Sequence, residues 1–161
     1  PGIIGFQYHQ DYFYWYDMGN LFPNMATVQV ALDPCTSENG CLRVLVGSHK
    51  LGRIDHSTDN GTGDWGADSA RLREIEKRLP EQEIPLNVGD AVLFHCNILH
   101  GSSDNNSQQS RVTLLGCYNT KHNSPYKTSN GHPYYSPQEV LGDVITAADM
   151  ANYPDFTKYY E

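Results

Sequence analysis

The sequence predicts an all-β (β-rich) domain, and composition and strand-like patterning carry this prediction. The chain has 161 residues and contains eleven tyrosines but only three methionines, and aromatic residues favour pleated sheet surfaces over helix bundles. Short runs rich in β-branched residues recur along it, with polar turn formers between them. A chain of this length has one core by default. We therefore expect residues 1–161 to form a single domain.

Four runs have the length and composition of strands, namely residues 27–33, 41–46, 91–95 continuing toward His100, and 111–118. In the first run Val28, Val30 and Leu32 alternate with other residues, the period of two expected when one sheet face is buried. The link between the first two runs ends in Asn39-Gly40, which suits a turn with positive φ. We expect these two strands to be antiparallel neighbours.

Two short helices are predicted. The first covers residues 69–79, because Leu72, Ile75 and Leu79 recur at helical spacing and Pro80 ends the pattern. The second opens at Ser136, where Ser, Pro and Glu form a capping box. Between residues 47 and 68 lies a polar, glycine-rich stretch that is too long for a plain connector, which makes it a candidate lid.

Charge and hydropathy argue against two classes of partner. The net charge is −8 with a pI near 5.2, and the eleven Lys and Arg residues are scattered, so nucleic acid is not expected as a partner. No apolar run reaches the roughly 18 to 20 residues of a membrane span, and no signal sequence is recognisable. The four cysteines lack zinc or disulfide spacing. These features predict a soluble, cytoplasmic protein with reduced thiols.

The candidate catalytic centre is a metal site of two histidines and one carboxylate. On a strand His9 and Asp11 would project from the same face, which gives two ligands of the facial triad used by non-haem iron(II) oxygenases. The third candidate is His100, with His95 as its rival. In a regular strand these two histidines point to opposite faces, and we favour His100 because it ends the strand next to Gly101.

Other polar and aromatic residues receive more ordinary interpretations. His49 and His56 are expected to hold loops by hydrogen bonds. The aromatic run 12–16 either lines a substrate pocket or covers a sheet edge. Arg111 is different, because burying an arginine at the start of an apolar strand costs free energy unless an anion binds to it. Its planar guanidinium group can bind a carboxylate through two parallel hydrogen bonds. The far carboxylate of a dicarboxylic co-substrate would fit it.

The motifs together resemble the phytanoyl-CoA dioxygenase family. They are His9-Gln10-Asp11, then Glu38-Asn39-Gly40-Cys41-Leu42 followed by Gly47-Ser48-His49-Lys50, then His100-Gly101-Ser102, with Arg111 eleven positions after His100. The resemblance implies a double-stranded β-helix (a cupin-like jelly roll). It also implies iron(II) held by His9, Asp11 and His100. The co-substrate would be 2-oxoglutarate, held by Arg111, Gln10 and Ser102.

The resemblance also implies a reaction, in which a C–H bond of a small metabolite or lipid-like acid is hydroxylated while 2-oxoglutarate is decarboxylated to succinate. Two alternatives stay open at this point. One is a cupin-like metal protein with other chemistry, and the other is a non-catalytic truncated family member. The family has an N-terminal segment before the His9 motif, so we expect such a segment to be missing here. Self-association across an open sheet edge is then expected.

Overall fold

Antiparallel strands make up most of the regular structure. The computed structural model describes residues 5–58 and 65–127, all of which belong to one unit of the chain. It arranges their strands in two three-stranded sheets and one two-stranded pair. A β-rich architecture with few helices is therefore confirmed. The described helices are α1 (Asp11–Asp17) and α2 (Ser69–Glu76), and the strands are β1 (Met25–Ala31), β2 (Leu42–Leu45), β3 (His56–Ser57), β4 (Gly66–Ala67), β5 (Glu81–Ile84), β6 (Ala91–His95), β7 (His100–Ser102) and β8 (Thr113–Asn119).

The larger of the two main sheets has the order β6-β1-β8, with β1 in the centre. Burial along β1 alternates strictly, as the sequence predicts. The buried face, however, is the polar one, since Thr27 and Gln29 are each 4% exposed while Val28 and Val30 are only half-buried. Thr27 lies between Phe94 of β6 and Cys117 of β8 in the register. The buried face that carries Thr27 and Gln29, called the inner face below, can therefore line a polar site.

The second main sheet has the order β5-β2-β7, so the prediction that β1 and β2 are antiparallel neighbours is wrong. The connecting loop takes the chain from one sheet to the other. Asn39 fixes this loop, because its buried amide donates to Pro34 O at 2.7 Å and accepts from Thr36 N at 2.8 Å. Gly40 follows with φ of 79°, and a Cβ there would lie 2.3 Å from Ser103 O. Only glycine fits this crossing.

A break between β6 and β7 corrects a second expectation. The sequence predicts one strand from Ala91 toward His100, but β6 ends at His95 and β7 starts at His100 in the other sheet. Leu99 anchors the crossing, since its N–H donates to Ser48 Oγ at 2.8 Å and its carbonyl accepts from Leu45 N at 2.9 Å. His95 and His100 therefore lie at the ends of strands in different sheets, and not on opposite faces of one strand.

The largest apolar cluster of the described residues packs against α2 and includes Leu45 of β2. Leu45 and Leu99 are almost fully buried there, together with Ile75 of the helix, and Leu72 and Leu79 pack against the same cluster. This confirms the predicted apolar face of the helix. Asp68 caps the helix by accepting from Arg71 N at 2.8 Å. The helix ends earlier than predicted, at Glu76.

The aromatic run 12–16 lies on α1, and whether it lines a substrate pocket or covers a sheet edge stays a prediction. Tyr12 is buried with Met25 and Cys96, and Trp15 packs against them. The second predicted helix, at Ser136, and residues 59–64 of the candidate lid lie outside the described residues. Among the residues that are described, no helix is long and apolar enough to cross a membrane.

Candidate metal centre

His9 and His100 face each other on adjacent segments of backbone. His9 N donates to His100 O at 2.9 Å and His100 N donates to His9 O at 3.0 Å, which forms an isolated antiparallel bridge. Residues paired in this way project from the same face, and their ring centroids lie 4.2 Å apart. Gly101 permits this approach, since a Cβ there would lie 2.7 Å from Phe6 O. The bridge therefore places two imidazoles side by side.

Asp11 reaches the same point by a different route from the one predicted. It is the first residue of α1 and does not lie on a strand with His9, so the strand geometry expected for this pair is wrong. Its Oδ1 atom lies 3.7 Å from His9 Nε2 and 3.5 Å from His100 Nε2. The three residues offer ligand atoms that all lie within 4.8 Å of one another. The start of α1, and not a strand, therefore brings Asp11 next to the two histidines.

Both histidines are held in the form that a metal requires. His9 Nδ1 lies 2.8 Å from Gln7 O, and His100 Nδ1 lies 3.0 Å from Ile98 O. A carbonyl can only accept, so each Nδ1 carries the proton and each Nε2 keeps its lone pair for a metal. Burial, and then the neighbouring His9, lower the pKa of His100. A neutral imidazole is the ligating species.

Arg111 lies on the chain just before β8, two residues ahead of Thr113. Thr113 pairs with Ala31, and Cys117 pairs with Thr27 on the inner face of the larger sheet. Arg111 itself precedes the regular pairing, since Leu32 N and Asp33 N both donate to Val112 O. Its Nε atom is buried without a hydrogen-bond partner, and within the described part of the chain it has no ion pair. A buried donor without a partner calls for a partner from outside the chain, such as a water molecule or an anion.

Gln10 and Ser102, the other predicted co-substrate contacts, have partners within the chain. Gln10 is fully buried, and its amide donates to Gly52 O and Asn97 O at 2.8 Å and accepts from Ile54 N at 2.8 Å. Ser102 Oγ accepts from Phe6 N at 3.0 Å. Their contacts with 2-oxoglutarate stay predictions. Gln10 would have to give up one of its bonds to make one.

Replacing Gln10 with Leu is expected to destabilise the metal-free protein by about 2 kcal/mol or more, because two buried backbone groups, Ile54 N–H and Asn97 C=O, would lose their partner at about 1–3 kcal/mol each. Urea denaturation followed by circular dichroism measures this. The exposed Gln82 provides the matched control, and Gln82→Ala should change the free energy of unfolding by less than about 0.5 kcal/mol. Equal stabilities of the two variants would refute the bracing role of Gln10.

Thr27 and His56 support the centre through partners that no sequence motif identifies. Thr27 Oγ1 hydrogen-bonds to Asp11 Oδ2. His56 Nε2 accepts from Gln10 N at 2.9 Å, and its Nδ1 lies 2.9 Å from Ile54 O, so the predicted loop-holding role of His56 is confirmed. Phe13 stacks on the His56 ring with centroids 4.3 Å apart. Both contacts span long separations in the chain, which is why no local motif predicts them.

His56 is expected to make stability depend on pH. Burial lowers the pKa of His56 from 6.5 to about 4, so the unfolded chain takes up this proton before the folded one does. The contribution is complete above pH 6.5 and is lost as pH falls toward 4, by about 3 kcal/mol in total. Urea denaturation of the metal-free protein at pH 7.5 and 4.5 measures it. The pKa of His100 is lowered as well, so the wild type alone does not isolate His56. His56→Gln should reduce the pH dependence of the free energy of unfolding, and an unchanged dependence would contradict the role of His56.

Comparison with known proteins decides the family. Residues 1–113 match the family described as Phytanoyl-CoA dioxygenase (PhyH). The chain belongs to the phytanoyl-CoA dioxygenase family. L-proline trans-4-hydroxylase of Streptomyces griseoviridis is 34% identical to it in an alignment of 150 positions that covers 84% of this chain and 54% of the relative. Ectoine dioxygenase of Streptomyces anulatus is 31% identical over 134 residues, covering 76% of this chain and 45% of that protein.

Solved structures of the phytanoyl-CoA dioxygenase relatives agree with this assignment. The crystal structure of EctD from S. alaskensis with bound Fe matches with a TM-score of 0.66 and 26% identity, covering 78% of this chain and 42% of that chain. The same protein with 2-oxoglutarate and 5-hydroxyectoine also gives 0.66, at 25% identity, covering 77% of this chain and 41% of that chain. The chain thus spans about half the length of these relatives or less.

Proposed function

We propose that this chain carries the catalytic core of an iron(II)- and 2-oxoglutarate-dependent hydroxylase. The observation that carries the proposal is the convergence of His9, Asp11 and His100, whose ligand atoms lie within 4.8 Å of one another. Two imidazoles and one carboxylate with open positions are the ligand set of non-haem iron(II) oxygenases. The two Nδ1–carbonyl contacts support it further, because such partners orient metal-binding histidines.

Arg111 is the proposed anchor for the far carboxylate of 2-oxoglutarate. Its Nε is buried without a partner, and a guanidinium fork binds a carboxylate in two charge-assisted bonds. The charge also acts on its surroundings: burial raises the pKa of the Cys35 and Cys41 thiols, and the nearby Arg111 opposes this rise. A dicarboxylate seated between the metal and Arg111 would neutralise that charge.

The protein's own part in the reaction is binding and orientation. When bound, iron and 2-oxoglutarate supply the oxidation, in which dioxygen, 2-oxoglutarate and a C–H substrate give succinate, carbon dioxide and an alcohol. His9, His100 and Asp11 would hold the metal from one side, which leaves the opposite side for the reactants. Arg111 would fix the direction in which the keto acid enters. The apolar ring of Phe94, 4.7 Å from His100, excludes water from one flank.

The substrate class follows from the relatives and is part of the proposal. Relatives are named for hydroxylation of L-proline and for oxygenation of ectoine, which supports a small metabolite over a lipid-like acid. The same relatives support the double-stranded β-helix as the finer description of the two sheets, with the centre between them. Phe13 and Trp65, whose rings lie 5.4 Å apart beside His56, would border the substrate.

Anaerobic titration of the iron(II)-loaded chain with 2-oxoglutarate tests the proposal. Chelation of iron by the keto acid should produce a weak visible charge-transfer band that saturates with the co-substrate. Succinate, which lacks the keto group, is the matched control and should give no band. Iron binding without a band would favour the cupin-like alternative, and a band without turnover of 2-oxoglutarate in the presence of oxygen would favour the non-catalytic one.

A further inference from the structure

Thr27 makes a hydrogen bond that distinguishes the two oxygens of Asp11. Asp11 Oδ1 faces the histidines, at 3.7 Å from His9 Nε2 and 3.5 Å from His100 Nε2. The other oxygen, Oδ2, is bonded to Thr27 Oγ1. Thr27 is 4% exposed and lies on the central strand of its sheet. One carboxylate oxygen therefore points to the metal position, and the other is held by the sheet.

The direction of this bond follows from the atoms present. An ionised carboxylate can only accept, so the single hydrogen of the Thr27 hydroxyl is donated to Asp11. The Thr27 oxygen remains free to accept, and Cys117 Sγ lies 3.7 Å from it on the neighbouring strand. A β-branched side chain on a central strand also has a restricted χ1 angle. The donor is thus fixed in both position and direction.

We infer that Thr27 is a positioning residue that makes Asp11 a one-oxygen ligand of the metal. This rests on the proposed function, since it assigns a role to the partner of a proposed ligand. A carboxylate can bind a metal through one oxygen or two. With Oδ2 bonded to Thr27, only Oδ1 is available, and one more coordination position stays open for the reactants. Without the hydroxyl, Asp11 is free to rotate or to bind through both oxygens.

Thr27→Val and Thr27→Ser form a matched pair for the test. Valine keeps the shape of threonine and removes the donor, whereas serine keeps the donor. Partners of this kind contribute about 10- to 100-fold to metal affinity. We expect Thr27→Val to weaken cobalt(II) binding by that factor and to change the visible spectrum of the bound cobalt, which reports its coordination number. Thr27→Ser should stay within about threefold of the wild type.

The outcomes separate this inference from the proposed function. If the wild type binds no cobalt(II) or iron(II), the proposed metal centre is wrong, and the role of Thr27 is wrong with it. If the wild type binds and Thr27→Val has the same affinity and spectrum, only the Thr27 inference is overturned. Urea denaturation of the metal-free variants checks folding. Loss of binding in Thr27→Val and Thr27→Ser alike would also overturn it, because the hydroxyl would then not be the cause.

Discussion

Replacing His100 with Ala is expected to abolish metal binding and, with it, turnover of 2-oxoglutarate. The bridge to His9 uses only backbone atoms of residue 100, so the fold keeps this pairing in the variant. The metal would retain one imidazole and one carboxylate. Since even partners outside the ligand set contribute about 10- to 100-fold, we expect affinity for iron(II) to fall by more than about 100-fold. Calorimetric titration with cobalt(II) or iron(II) under argon measures it.

His95→Ala is the control for this prediction. His95 is exposed on β6, its Nδ1 accepts from Asn97 N at 3.0 Å, and it is not among the residues whose ligand atoms converge. Its removal should leave metal affinity within about threefold of the wild type. If His95→Ala lost the metal and His100→Ala kept it, the ligand assignment would be wrong.

The two histidines show what sequence reasoning could and could not establish. The sequence supplied the correct pair for the cluster, His9 and His100, although 91 residues separate them, because the motifs occur together in one order. The expectation that His95 and His100 lie on opposite faces of one strand is nevertheless wrong. It assumed one regular strand, whereas the chain leaves the larger sheet after His95 and enters the other one before His100. A crossing of this kind depends on distant partners such as Ser48, which no local pattern reveals.

The buried face of the central strand β1 could not be identified from hydrophobicity. The strand's predicted period of two is confirmed, but hydrophobicity alone would have assigned Val28 and Val30 to the buried face. The buried face carries Thr27 and Gln29 instead, because it lies toward the metal centre, where polar groups find partners such as Asp11. Hydrophobic alternation identifies a strand and its two faces. It assigns the faces wrongly when one of them lines a polar site.

Arg111→Ala is the second change with a large expected effect, and it should separate co-substrate binding from metal binding. Loss of one partner of a buried, hydrogen-bonded charge pair costs about 2–5 kcal/mol, which raises the dissociation constant for 2-oxoglutarate about 30- to 5,000-fold. Affinity for iron(II) should not change, since Arg111 is not among the three ligands. The charge-transfer titration gives the first quantity and calorimetry the second.

Arg111→Ala should not destabilise the free protein, whereas removal of an arginine that holds the fold together would. The Nε of Arg111 is buried without a partner, and a buried donor that makes no hydrogen bond does not stabilise a fold. Arg111→Ala should therefore leave the free energy of unfolding unchanged or raise it. Arg78, which pairs with Glu74 on the surface of α2 at 2.8 Å, is the control, and Arg78→Ala should leave co-substrate binding intact. A destabilised Arg111→Ala protein that binds 2-oxoglutarate normally would make Arg111 a structural residue and leave the co-substrate carboxylate without its proposed anchor.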